Sequence, residues 1–218
     1  MRLAGFIIFV LISICSAYAQ TENNLRGDFG IRFASSSNNG NSTSTNAAFV
    51  GSTDASSGVE VFGRIRPNSF SSNIPENIAV EAYLSTNSNT HEIKFAGASL
   101  GKKTCDQALG IAGQWWFGDK KNTVRPYIGI GYESRDCSGN YALGGAKFSQ
   151  TDMSSSCTSL RVGASVDLSD YVAKGLAITG EVKSSCKTET SGTPVAGATV
   201  ASKSGGGTQA SFGLQYSW

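Results

Sequence analysis

The chain has 218 residues, of which 39% are hydrophobic and 16% charged, and its 18 basic and 16 acidic residues leave a formal charge of +2. So small a net charge gives no footprint for nucleic acid, and the length fits one domain behind a leader. After residue 20 no apolar run is long enough for a transmembrane helix, so any crossing of a membrane has to be made by strands.

The chain opens MRLAGFIIFVLISICSAYAQ. Arg2 supplies a positive charge, residues 4–15 an apolar run, and Ala17-Tyr18-Ala19 small residues at the two positions a signal peptidase reads. The pattern predicts a cleaved signal peptide over residues 1–19 and a mature domain over 20–218.

The apolar residues that follow are spaced by two, the period at which successive side chains of a strand alternate between faces. LRGDFGIRF (25–33) sets Leu25, Phe29, Ile31 and Phe33 against Arg26, Asp28 and Arg32. GVEVFGRIR (58–66) sets Val59, Val61 and Ile65 against Glu60, Phe62, Arg64 and Arg66. NIAVEAYLS (77–85) sets Ile78, Val80, Ala82 and Leu84 against Glu81 and Tyr83. ALGIAGQWWF (108–117) and VRPYIGIGYE (124–133) alternate through Leu109, Ile111 and Trp115 and through Val124, Ile128 and Ile130. SLRVGASVDL (159–168) opposes Leu160, Val162 and Val166 to Arg161 and Asp167. GLAITGEVK (175–183) opposes Leu176, Ile178 and Val182 to Glu181 and Lys183. The last segment, TQASFGLQYSW, carries Ala210, Phe212, Leu214, Tyr216 and Trp218 on one face.

That makes eight strands. Ser-, Asn- and Gly-rich connections over 34–57, 86–107, 134–158 and 184–207 alternate with short turns at 67–76, 118–123 and 169–174. Long loops after every second strand collect at one end, and tight turns with the chain end at the other. This predicts an all-β fold: a closed antiparallel transmembrane β-barrel of eight strands with long extracellular loops and short periplasmic turns. HEIKFAGASLG (91–101) and NAAFVGS (46–52) also alternate, which leaves a ten-stranded barrel open.

The apolar faces are expected to point outward. The opposite faces carry few long charged residues for a water-exposed surface, and aromatics gather at strand ends as in the girdles of such barrels. The cleaved signal, the early strand LRGDFGIRF, the hairpin QWWFGDKKNTVRPYIGIGYE and the terminal LQYSW resemble the small OmpA-type outer-membrane barrels of Gram-negative bacteria. The resemblance implies residence in the bacterial outer membrane, contact with its lipid and lipopolysaccharide, and no cofactor. It also implies that Phe212, Leu214, Tyr216 and Trp218 form a C-terminal signal read by the barrel-assembly machinery. The terminal residue in that family is more often Phe than Trp.

Four cysteines follow the signal peptide: Cys105, Cys137, Cys157 and Cys186. Four thiols allow three connectivities. The turn 118–123 places Cys105 opposite Cys137 to within one residue, and the turn 169–174 places Cys157 opposite Cys186. Register therefore selects 105–137 and 157–186, in a compartment oxidising enough to form them. No C-x-x-C pair marks a zinc site.

The inward positions include Arg26, Asp28, Arg32, Glu60, Arg64, Glu81, Arg161, Glu181 and Lys183. An eight-stranded barrel is just wide enough for side chains to fill, so this nearly balanced set is expected to pair into a network that closes the lumen. A narrow path for ions or small solutes is the alternative. A soluble secreted ligand-binding barrel is a weaker one. The single histidine, His91, lacks the His-x-Ser spacing of outer-membrane deacylases, since Ile93 stands two residues on. No enzyme is expected. The role left is structural, with loops free to contact a host or another surface ligand.

Overall fold

The structure is a computed structural model and describes residues 27–37, 49–53, 56–95, 98–119, 121–143, 146–147, 155–184, 188–195, 198–204 and 207–218. The predicted signal peptide, Arg26 and Cys186 lie outside them.

Thirteen strands are present among the described residues. They are β1 (Gly27–Ser37), β2 (Phe49–Thr53), β3 (Ser56–Ile65), β4 (Ile78–Ser85), β5 (Asn89–Phe95), β6 (Ala98–Trp116), β7 (Val124–Leu143), β8 (Ala146–Lys147), β9 (Ser155–Asp167), β10 (Leu176–Ser184), β11 (Thr188–Val195), β12 (Ala198–Ser204) and β13 (Thr208–Ser217). Eight of them form the wall in the order β6-β4-β3-β1-β13-β10-β9-β7, and β7 pairs back onto β6 to close it. Every pairing is antiparallel. The chain is thus a closed eight-stranded antiparallel barrel.

The shorter strands lengthen this wall at one end. β4 and β5 pair with the same strand, Ser85 with Ala108 and Asn89 with Cys105, so β5 continues β4 upward. β2 pairs with β5 just as β3 pairs with β4. The two segments that left ten strands open therefore do pair, Phe49 with Phe95, but they extend two existing staves and add none. The connections read as long loops are corrected in the same way. Much of 86–107, 134–158 and 184–207 is strand, including β11 and β12, which pair with each other. β7 alone runs for 20 residues, about 65 Å along the strand. Tilted by roughly 45°, it stands about 20 Å beyond an apolar band about 25 Å tall. Outside lipid both faces of a hairpin meet water, so polar residues such as TETSGT suit it and no apolar alternation marks it.

The sense of the wall is apolar outward. Phe29, Ile31 and Phe33 of β1, Leu109 and Ile111 of β6, Ile128 and Ile130 of β7, Leu160 and Val162 of β9, and Phe212 and Leu214 of β13 are all exposed, Leu160 by 67%. Between them the alternate positions are buried and mostly polar or charged. The outward sense is the one expected, and the alternative of a soluble barrel with an apolar core is overturned. An exposed apolar girdle around a charged interior is stable only with lipid outside. At the other end the turns are tight; Gly118 (φ 77°) and Gly175 (φ 82°) take the left-handed backbone those turns need.

Candidate functional site

The lumen holds the chemistry of this molecule. Strand alternation sends every second residue inward, and the inward residues of β1, β3, β4, β9 and β10 include Arg32, Glu60, Arg64, Glu81, Arg161, Glu181 and Lys183. Glu81 on β4 is the hub. It accepts hydrogen bonds from Arg32 Nη2 (2.6 Å), Arg64 Nη2 (2.8 Å) and Gln114 Nε2 (3.0 Å), and Arg161 Nη1 lies 2.9 Å away. Glu181 takes both Nε (2.9 Å) and Nη2 (2.6 Å) of Arg161, Arg32 Nη1 at 3.3 Å and the Tyr127 hydroxyl at 2.8 Å. Glu60 pairs with Arg32 and with Lys183 at 3.1 Å.

Two satellites extend the network along the axis. Towards the extended hairpins, Glu133 accepts from Lys183 (2.9 Å), Arg135 Nε (2.6 Å) and the Tyr83 hydroxyl (3.1 Å). Towards the short turns, Asp28 accepts from Arg64 (3.1 Å) and Ser217 (2.6 Å), with Arg66 at 3.5 Å. Aromatic faces fill the space between the charges. Phe62 lies 4.1 Å from Arg32 and 5.1 Å from Arg64, and Tyr83 lies 4.5 Å from Arg161 and from Lys183. Trp116 and Tyr127 pack at 4.5 Å.

Three of these four rings fit because a glycine stands across from them. Gly30 is opposite Phe62, Gly110 opposite Tyr83 and Gly163 opposite Tyr127. A Cβ on any of the three would run into the facing ring.

Of the nine interior residues named from sequence, Asp28, Arg32, Glu60, Arg64, Glu81, Arg161, Glu181 and Lys183 are buried in one connected cluster. Arg26 is outside the described residues. Glu133, Arg135, Tyr83, Tyr127, Gln114 and Trp116 also belong to the lumen and were not among those nine. Parity alone would have found Trp116 and Tyr127: they sit on the glycine-bearing face, one position away from outward Trp115 and Ile128.

Cys105 and Cys137 are Cα partners across β6 and β7, just above a one-residue bulge at Asp106. Cys157 is disulfide-bonded and faces Glu133 across β9 and β7. His91 sits on β5, paired along the backbone with Thr53 and Lys103. Among the described residues no group of three or more His, Cys, Asp or Glu is placed to hold a metal ion.

No protein-family model matches the chain, and no curated protein matches it in sequence. Solved structures match it in shape. The outer-membrane protein OprG from Pseudomonas aeruginosa superposes with a TM-score of 0.65 at 13% identity, over 91% of this chain and 98% of that one. Outer membrane protein W of E. coli gives 0.56 at 17% identity, over 88% and 98%. The chain has the fold of the small outer-membrane β-barrels. The outer membrane protein AlkL, solved in lipid bilayers, gives 0.51 at 14% identity, over 91% and 92%. In this barrel the apolar girdle lies outside, and ion pairs across the interior join staves far apart in the wall.

Proposed function

We propose that the protein is a plugged structural barrel of a bacterial outer membrane whose working surface is its extended hairpins. One observation carries the reading. Glu81 on β4, Arg161 on β9 and Arg32 on β1 are completely or almost completely buried, and Glu81 pairs with both arginines, so the cluster spans the lumen from wall to wall. Opening a path there means separating several buried ion pairs, each costing about 3–5 kcal/mol when one partner is lost. A thermally accessible pore does not arise from such a barrier. What remains for recognition is the end where β6 and β7 project beyond the girdle, on which a host surface, a phage or a neighbouring cell can act. Phe212, Leu214, Tyr216 and Trp218 then serve assembly, offering the barrel-assembly machinery an alternating strand, and lipopolysaccharide packs against the upper girdle.

The test is conductance in planar bilayers at high protein load. Silence, together with a band that shifts on boiling, is the expected outcome. Discrete steps from the folded protein would overturn the plug and favour a narrow porin.

A further inference from the structure

The short-turn mouth of the lumen carries one arginine, Arg125, that neither the plug nor the hairpins use. Three guanidinium groups surround one buried indole: Arg64, Arg66 and Arg125 lie 4.7, 5.1 and 5.2 Å from the Trp116 ring. They come from β3, from the residue just after it, and from β7, so the barrel itself brings them together. Asp28 is the interior carboxylate at this level, and it is shared between Arg64 and Arg66 and capped by Ser217. Arg64 has its second hydrogen-bonding arm on Glu81 and a further bond to Gln215. Arg125 differs. It makes no ion pair among the described residues, and its Nε and Nη2 are buried without a hydrogen-bond partner. Glu76 and Asp119, on the exposed turns, are the other carboxylates that act on it.

A guanidinium that stacks on an indole turns its N–H edge away from the ring, and that edge matches a tetrahedral oxyanion through paired bonds. Leaving such donors buried and unbonded is costly. We propose that this mouth is an anion site of the phosphate class, with Arg125 as its principal donor, Arg66 and Arg64 as flanking cations and Trp116 as its floor. The same oxygen chemistry is offered by free phosphate and by the headgroups of the leaflet at that end.

The test uses the full mature barrel, refolded and judged by its heat-shifted band. Inorganic phosphate is titrated calorimetrically into the protein in zwitterionic micelles at fixed ionic strength. In parallel, the unfolding temperature is compared in phosphatidylglycerol and phosphatidylcholine vesicles. Saturable phosphate binding, weakened at least about tenfold in Arg125→Gln and unchanged in the exposed Lys174→Gln, supports a soluble anion. A phosphatidylglycerol-dependent rise in unfolding temperature that disappears in Arg125→Gln, without phosphate binding in micelles, supports the headgroup. Arg125→Lys keeps the charge and guards against misfolding of the glutamine variant; it loses the fork, so it too is expected to bind more weakly. The site is overturned if neither probe has a saturable effect on the wild type. It is equally overturned if folded Arg125→Gln or Arg125→Lys responds as the wild type does.

Discussion

Arg32 and Glu81 meet inside the lumen, Nη2 to Oε1 at 2.6 Å, although their strands β1 and β4 are separated by β3. The bond therefore belongs to the interior and not to the ladder. Glu81 also bonds Arg64 and lies beside Arg161, so three cations share this carboxylate, which the remaining partners Glu60, Glu181 and Asp28 do not replace in number. Glu81→Gln keeps the shape and removes the charge. It is expected to lower stability by about 3–5 kcal/mol, the cost of leaving buried charge uncompensated. Urea unfolding in lipid vesicles, followed by tryptophan fluorescence, measures it; a loss under about 1 kcal/mol would mean that water had already relieved the cluster.

The outward girdle makes a separate prediction. Ile128 is 49% exposed near the middle of the membrane-crossing part of β7, facing Trp115 on one side and Val162 on the other. Ile128→Arg is expected to cost about 2–4 kcal/mol in a bilayer. Tyr171→Arg, on an exposed turn, is expected to stay within about 0.5 kcal/mol. Equal effects would show that Ile128 does not meet lipid.

Gly110 and Tyr83 offer a test of interior fit. Gly110→Ala drives a methyl into the ring and is expected to cost about 1–3 kcal/mol. Gly63, where an added Cβ meets nothing within 4 Å, is the control, and Gly63→Ala is expected to be close to neutral. Combining Gly110→Ala with Tyr83→Leu is expected to recover part of the loss. Strict additivity of the two changes would refute the steric account.

The cysteines predict a peptide map. Cys105 and Cys137 face one another on the backbone, and Cys157 is disulfide-bonded. Digestion without reductant is expected to yield crosslinked peptides 105–137 and 157–186. Any other linkage would show that the hairpins beyond the girdle are stapled differently.

How much of this was legible beforehand depends on where each residue sits. In β1 the parity is set by Phe29, Ile31 and Phe33, and once these face lipid Arg32 has no choice but the lumen. The same logic reached Glu60, Arg64, Glu81, Arg161, Glu181 and Lys183, because each lies inside an apolar alternation. Glu133, one position past outward Tyr132, has inward parity at the very end of VRPYIGIGYE and was within reach of the same logic; Arg135 escaped it. It lies where β7 leaves the girdle and the outward positions turn polar, so nothing in SRDC announces a face. For the same reason β11 and β12 read as loop: in water a hairpin can be polar on both sides. Nor does composition reveal partners. The cluster around Glu81 joins strands far apart in the chain, and only the closed wall brings them within a bond of each other.

The three ring-and-glycine pairs have a consequence for assembly. A strand that slips by one residue turns every side chain to the wrong face, and lipid rejects it. A slip of two keeps every face correct, and the surroundings cannot detect the error. The rings can. Displaced by two, Phe62 would meet Asp28 or Arg32 in place of Gly30, and Tyr127 would meet Arg161 or Ser165 in place of Gly163. Proofreading of the register is thus done from within, by the residues that never touch the membrane.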